Sequence, residues 1–170
     1  MSQGDHRPAA HPAHALGPRV GVKALILRDG AILMNRSDVD GHDVFDLPGG
    51  GQEYGETQAE ALVRECAEEV GARVRVHGIA CVWEFLTEIG GFRREQIPLS
   101  HQLNVGFWCG LEPGEEPRAE ATTGMDTWQV GTSWLPVERL DRFDVRPRAI
   151  ADWLQADPSI RPVALGPVEL

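Results

Sequence analysis

Thr57-Gln58-Ala59-Glu60-Ala61-Leu62-Val63-Arg64-Glu65-Cys66-Ala67-Glu68-Glu69-Val70-Gly71 is the stretch on which the reading of this chain turns. Thr57 is a preferred helix N-cap, and Glu60 three residues later completes a capping box. Gly71 suits the left-handed residue that follows a helix, so the pattern predicts a helix over about 58–70, closed at both ends. Ala59, Leu62, Val63, Cys66 and Val70 recur at helical spacing and form its expected buried stripe. Glu65, Glu68 and Glu69 fall on the other side, three and four residues apart, so their carboxylates are expected to converge.

Such a cluster is poorly placed for helix stability. Like charges at these spacings cost about 0.2–0.5 kcal/mol per pair. The negative end of the helix dipole disfavours each anion there by about 0.3–1 kcal/mol more. Arg64 and Arg73 are expected to offset part of this. A solvated glutamate-rich face is common and by itself says nothing about function. Here the glycine loop Pro48-Gly49-Gly50-Gly51 precedes the helix and a tight stop follows it. Mg²⁺ takes oxygen ligands, typically one or two carboxylates with waters and substrate phosphates, which gives the cluster a physical purpose.

Outward from the helix, Val20 to Leu27 and Ala31 to Asn35 flank Asp29-Gly30, a strong two-residue hairpin signal. Val44 to Leu47 reads as a short strand entering the glycine loop. Beyond the helix, Arg73 to Thr87 and His101 to Leu111 read as strands separated by a loop over 88–100. Pro113 to Asp126 is an acidic loop, and Trp128 to Leu135 a last strand. Pro136 opens a helical turn, and Arg146 to Gln155 is expected to be an amphipathic helix with Ile150, Trp153 and Leu154 inward. The expected organisation is a flexible N-terminal arm over 1–18, one domain over 19–157 and an irregular tail over 158–170. Strands mixed with two separated helices imply an α/β class, an α/β/α sandwich whose mixed sheet is covered on both faces.

A chain of 170 residues can bury a proper core, and its composition is that of a globular protein. The net charge of −10 argues against nucleic acid as a partner. It would also repel a free nucleotide unless a bound cation reversed the local field. No apolar run approaches membrane-spanning length, and no membrane partner is expected. Cys66, Cys81 and Cys109 form no CxxC pair, and with no export signal in residues 1–18 the expected location is the cytoplasm. His6, His11 and His14 lie in the arm with nothing to hold them at ligand spacing.

Gly50-x5-Glu56-x7-Arg64-Glu65-Cys66-Ala67-Glu68-Glu69-Val70-Gly71-Ala72 resembles the signature of the Nudix hydrolases, Gx5Ex7REUxEExGU with U a bulky aliphatic residue. All seven fixed positions match over 23 residues, while Cys66 and Ala72 are smaller than the usual U residues. Leu47-Pro48-Gly49-Gly50 resembles the family's lead-in. The resemblance implies a loop–helix–loop that holds Mg²⁺, or Mn²⁺, and hydrolyses a nucleoside diphosphate linked to another moiety. The small-molecule partner is then a nucleotide derivative such as a nucleoside triphosphate, a nucleotide sugar or ADP-ribose. By family position Glu65 and Glu69 are the principal metal ligands, Glu68 a further one, and the Gly50 carbonyl a backbone ligand. Glu56 and Arg64 form a supporting ion pair. Many family members are dimers, so a homodimer is compatible with the resemblance.

Specificity lies outside the motif. Arg36 at the end of the second strand is a candidate phosphate contact, with an exposed strand-end arginine as an equal alternative. Arg93 and Arg94 could close over the phosphates from the 88–100 loop, although a solvated pair is the plainer reading. Trp83, Phe85 and Trp108 are candidates to stack on a base, although at least two are expected in the core, and Gln102 and Asn104 alternate with apolar neighbours so that one polar set faces a pocket. Two other classes compete: an isopentenyl-diphosphate-isomerase-like enzyme using a cysteine, and a binding module that has lost catalysis. The general base is either Glu65 on the helix or Glu95 in the loop. The substitution Glu95→Gln separates them, because near-full turnover in that variant would remove the loop base and leave Glu65.

Overall fold

The computed structural model describes residues 18–86, 101–118, 120 and 129–168. Eight strands and two α-helices stand among them: β1 (Arg19–Arg28), β2 (Ala31–Val39), β3 (His42–Asp46), α1 (Gln58–Glu69), β4 (Val74–Leu86), β5 (His101–Leu111), β6 (Gln129–Pro136), β7 (Asp144–Arg146), α2 (Arg148–Gln155) and β8 (Ala164–Val168). Residues 1–17 of the arm expected over 1–18, and the 88–100 loop with Arg93, Arg94 and Glu95, lie outside the described residues.

Strand β1 joins the two halves of a curled mixed sheet ordered β7-β3-β2-β1-β5-β4-β8, with β6 paired to β2. Most of β1 runs parallel to β5, from Arg19 opposite Gln102 to Ile26 opposite Cys109. Its last residues, Leu27 and Arg28, instead pair antiparallel with Ile32 and Ala31 of β2. The turn between them puts Asp29 at φ 50° and Gly30 at φ 77°, the left-handed pair that a two-residue hairpin requires. Asp40-Gly41 repeats the device at φ 54° and 82°, so β2 runs to Val39 and folds back into β3. This second Asp-Gly turn lengthens the strand expected to end at Asn35.

Alternation along β1 gives each face its own core. Val22, Ala24 and Ile26 pack with Leu62 and Cys66 of α1 and with its C-cap Val70, whereas Leu25 packs on the other face with Ile150, Trp153 and Leu154 of α2. Helices on both faces of a mixed sheet make the expected α/β/α sandwich. The three cysteines are buried in these two cores, and burial pushes the Cys81 and Cys109 thiols up to about 12 and raises Cys66 as well. Helix α1 carries its capping box as expected: the Glu60 backbone N–H donates to Thr57 Oγ1, and the Thr57 N–H to the Glu60 carboxylate.

Three expectations are corrected. The stripe of α1 that meets the sheet holds Ala61, Leu62, Cys66 and Val70, while Ala59 and Val63 are exposed. A helix against a single sheet face needs only a narrow seam, and 61, 62, 66 and 70 define it more tightly. Helix α2 begins at Arg148 rather than Arg146, because Arg146 ends β7 and proline disfavours helical dihedrals at the residue before it. Finally, the tail is not irregular. Residues 158–160 form a 3-10 turn, and β8 lies parallel to β4 with Ala164 opposite Val82 and Val168 opposite Phe85. Gly166 and Pro167 conceal this strand in the sequence, and an edge strand tolerates proline.

Val168 is buried in the core on the α2 face. Removing residues 161–170 is therefore expected to cost at least the ~1.5–3 kcal/mol of one buried aliphatic side chain. Urea unfolding of the truncated chain checks this, and an unchanged midpoint would mean that β8 adds nothing to the fold.

Candidate active site

The loop after β3 lies along β1 as though it were a further strand. Val22 N donates to Gly50 O (2.9 Å), Ala24 N to Pro48 O (2.8 Å) and Gln52 N to Val20 O (3.0 Å). Gly49 sits at φ 128°, and a side chain there would collide with the Val22 carbonyl. Glycine is therefore required at 49 by both dihedral and space. At Gly50 the constraint comes from the helix: an added Cβ would lie 2.5 Å from the carboxyl carbon of Glu65. Backbone and carboxylate meet there with no room for a methyl group.

The three helix glutamates do not share one set of partners. Glu56, Glu65 and Glu68 gather around the Arg64 guanidinium. Its Nη2 donates to Glu56 Oε1 and its Nη1 to Glu65 Oε1, both at 2.8 Å, with Glu68 Oε2 further off at 3.8 Å. Nε adds a 3.3 Å bond to Glu56 Oε2, which makes the Arg64–Glu56 pair a two-point clamp, and Nη2 also reaches Gly51 O at 3.1 Å. The bond from Arg64, and then the Glu53 N–H, hold the Glu56 carboxyl below its ordinary range. A lowered folded-state pKa stabilises the fold above the ordinary carboxylate range, and that contribution is lost as pH falls through the lowered value.

Glu69 turns the other way, into the interior. Its Oε2 accepts from Asn35 Nδ2 and from Gly49 N, both at 2.8 Å. Burial raises its pKa, and the Lys23 ammonium, the Gly49 N–H and Asn35 oppose that rise. Glu68, expected beside the other two, has 61% of its side chain exposed and does not line the cavities below. Arg73, expected to relieve the cluster, instead donates to Glu115 Oε1 at 2.8 Å.

Two adjoining cavities open on this arrangement. The polar one, about 360 Å³, is lined by Glu65, Glu69, Gly49, Gly50, Gly51 and Arg19, among others. The apolar one, about 440 Å³, has Trp83, Phe85, Val39, Val44, Leu47 and Val168 among its walls. Lys23, Asp46, Gln102 and Asn104 line both and mark the junction. The Lys23 ammonium donates there to Gly49 O (2.6 Å), Leu47 O (3.0 Å) and Asp46 Oδ2 (3.4 Å). Gln102 and Asn104 thus face a pocket as their alternation suggests. Trp83 is buried in the core yet shares the apolar wall with Phe85, and Trp108 stacks on Trp153 at 5.7 Å. Arg36 is not brought in: it lines neither cavity, and its Nη1 lies 3.7 Å from Asp43 on the neighbouring strand.

Lys23, Asp46, Asn35 and Gln129 were not singled out from the sequence. The signal was present: Lys23 interrupts the apolar run from Val20 to Leu27, and Asn35 ends another. A polar residue at a core position of a strand needs a partner or a purpose.

A family model described as NUDIX domain matches residues 17–154, and the chain belongs to this family. It is 41% identical over 101 residues to an ADP-ribose pyrophosphatase of Methanocaldococcus jannaschii, a match covering 59% of this chain and 55% of that protein. The chain thus spans about half the length of this relative. Among solved structures, a NUDIX hydrolase from Nitrosomonas europaea matches with a TM-score of 0.63 and 18% identity, over 91% of this chain and 81% of that one. The MutT protein of Bacillus halodurans matches at 0.61 and 17% identity, over 82% and 84%. At such identities the likeness is one of fold.

The close approach at Gly50 yields a test independent of activity. Gly50→Ala is expected to cost about 1–3 kcal/mol of stability through overpacking against Glu65. Combining it with Glu65→Ala should return most of that loss, a coupling read from urea unfolding of the four-member cycle. Additive losses would place the strain elsewhere.

Proposed function

We propose that the chain is a Mg²⁺-dependent hydrolase of the phosphoanhydride linkage in nucleoside diphosphate derivatives, and that it releases a nucleoside monophosphate. One observation carries this reading: the Glu65 and Glu69 carboxylates line one polar cavity together with the Gly50 backbone, next to an apolar cavity walled by Trp83 and Phe85. Diphosphate and flat organic moiety each find a matching surface.

The donor set suits a hard cation. Glu69 is a partly buried carboxylate on the wall of the polar cavity, and burial raises its pKa. Gly50 O accepts one bond from Val22 N, and a carbonyl has a second lone pair. We assign Glu65, Glu69 and the Gly50 carbonyl to the metal, Mn²⁺ being an alternative, with Glu68 contributing negative charge at the rim. When bound, the ion supplies charge neutralisation on the diphosphate and a more acidic water.

The chain's own groups do the rest. Arg64 fixes Glu65 through Oε1 and is itself fixed by Glu56, so the carboxylate is held in place before substrate arrives. Glu65 is the base we favour to take the proton of the attacking water, with Glu95 as the loop alternative. Arg19 and Lys23 place positive charge along the polar cavity, and Arg93 and Arg94 are further phosphate contacts in this reading. Gln102 and Asn104 offer amide donors and acceptors at the junction, where a ribose or the edge of a base would lie. ADP-ribose is the first compound to assay, because the Methanocaldococcus relative carries that activity in its name. Neither cavity is lined by a cysteine, and all three thiols are buried, which weighs against the isomerase alternative and fits a reducing compartment such as the cytoplasm. Among the described residues no helix is long and apolar enough to cross a membrane.

The assay is incubation with Mg²⁺ and a panel of nucleoside triphosphates, nucleotide sugars, ADP-ribose and isopentenyl diphosphate, with the products resolved. Nucleoside monophosphate release supports the proposal; micromolar binding without turnover would favour a binding module. Glu69→Gln is expected to lower kcat by about 10²-fold or more, on the scale of losing one preorganised electrostatic group. Retained activity in that variant would mean the metal is held elsewhere.

A further inference from the structure

Two buried amides lie behind Glu69 that the proposed reaction does not itself use. Asn35 on β2 and Gln129 at the start of β6 are 3% and 8% exposed. Gln129 Nε2 donates to Asn35 Oδ1 (3.1 Å), and Asn35 Nδ2 donates in turn to Glu69 Oε2 (2.8 Å). The order of these bonds matters. A carboxamide presents an oxygen at one edge and a nitrogen at the other, and either edge could face Glu69. With Gln129 donating to Oδ1, the Asn35 nitrogen is turned toward the carboxylate; the reversed amide would set oxygen against oxygen.

Gln129 also grips the same residue through its backbone. The carbonyl of Glu69 lies in the last turn of α1, where carbonyls lack intrahelical partners. The N–H four residues on, that of Arg73, donates to Glu115 Oε2 instead. Gln129 Nε2 lies 3.2 Å from this Glu69 carbonyl. A register shift between β2 and β6 sets up the contact: Arg36 pairs with Gly131 but Ser37 with Gln129, which leaves Val130 unopposed. Bulges of this kind re-aim side chains beside functional sites.

Stability alone is a weak reason for such an arrangement. A pair of amides between two apolar cores can often be replaced by apolar groups of the same shape at little cost. What apolar groups cannot do is fix the rotation of a carboxylate. Both described donors to the Glu69 side chain, Asn35 and Gly49, fall on Oε2, so they define which oxygen is committed to the protein.

We propose that Asn35 and Gln129 are positioning residues that act in series to fix the orientation of the Glu69 carboxylate, and thereby set the affinity of the site for its divalent cation. The inference rests on the metal assignment made above, and it concerns residues outside the motif that identifies the family.

The test measures Mn²⁺ binding to the full chain without substrate, by electron paramagnetic resonance of the free ion, alongside thermal unfolding. The variants are Asn35→Leu, Gln129→Leu, their combination, and Gln129→Asn. The last keeps a buried amide but is one methylene too short to reach Asn35, so it covers the case in which a leucine variant fails to fold. Each single variant is expected to raise the Kd for Mn²⁺ by about tenfold to a hundredfold, the usual consequence of removing a partner that orients a metal ligand. The double variant should lose less than the product of the single losses, because the residues act on one carboxylate. Wild-type affinity in variants that merely melt lower would overturn the proposal and leave the amides a packing role. Absence of Mn²⁺ binding by the wild-type chain would instead overturn the metal assignment, and this inference with it.

Discussion

The partly buried carboxylate of Glu69 is the constraint on which the site depends. Taking an anion out of water costs several kcal/mol even after the protein relaxes, by the general scale for buried ions. The position makes matters worse, since Glu69 is the last residue of α1 and faces the negative end of its dipole. Three groups answer it: the Asn35 amide, the Gly49 N–H and the charge of Lys23. Burial remains the largest influence, so the three together under-compensate the charge. In the proposed reading a divalent cation offsets this charge.

Each partner of Glu69 exists because of a separate structural commitment. Gly49 can offer its N–H only because the loop lies flat on β1, which requires a residue without Cβ at φ 128°. Lys23 reaches the site because β1 places every second residue on the face opposite α1, and its ammonium then bonds the carbonyls of Leu47 and Gly49. That ammonium therefore holds the loop whose N–H supports Glu69. Asn35 depends on Gln129, and Gln129 on the bulge in β6. Helix, loop and two strands are thus coupled through one carboxylate. Disturbance of any of them reaches the site.

How much of this was legible in the sequence follows from the range of the interactions involved. The α1 helix and the Asp29-Gly30 turn were legible because local residues specify them through capping and dihedral preference, whereas the Arg64–Glu56 pair was implied by the family resemblance. The convergence of Glu65, Glu68 and Glu69 was only half legible. Spacing along a helix places carboxylates on a face, but it does not say that Glu68 will stay exposed while Glu65, held by Arg64, and Glu69, held by Asn35, line one cavity. Asn35 and Gln129 were not legible as a pair, since 94 residues separate them and a bulge sets their contact. Strand β8 was hidden for another reason. An edge strand that accepts Gly166 and Pro167 carries no alternation to read, and pairing with β4 supplies its order.

The division between what chemistry is done and on what molecule it is done has a structural basis in β1. One half of the cleft holds Gly50, Gly51, Glu65 and Glu69, which sit within a single 23-residue motif, beside residues of β1, β3 and β5. The other half is assembled from β2, β3, β4, β5, β7 and β8, each contributing one or a few walls. Because β1 pairs with β5 over most of its length and with β2 only at its end, the two halves of the sheet splay apart, and the apolar cavity lies between residues of both. Its shape therefore depends on side chains spread from Lys23 to Val168, and of these Lys23, Asp46, Gln102 and Asn104 also line the carboxylate site. A motif can thus identify the bond that is broken while leaving the rest of the substrate to residues that no local pattern links.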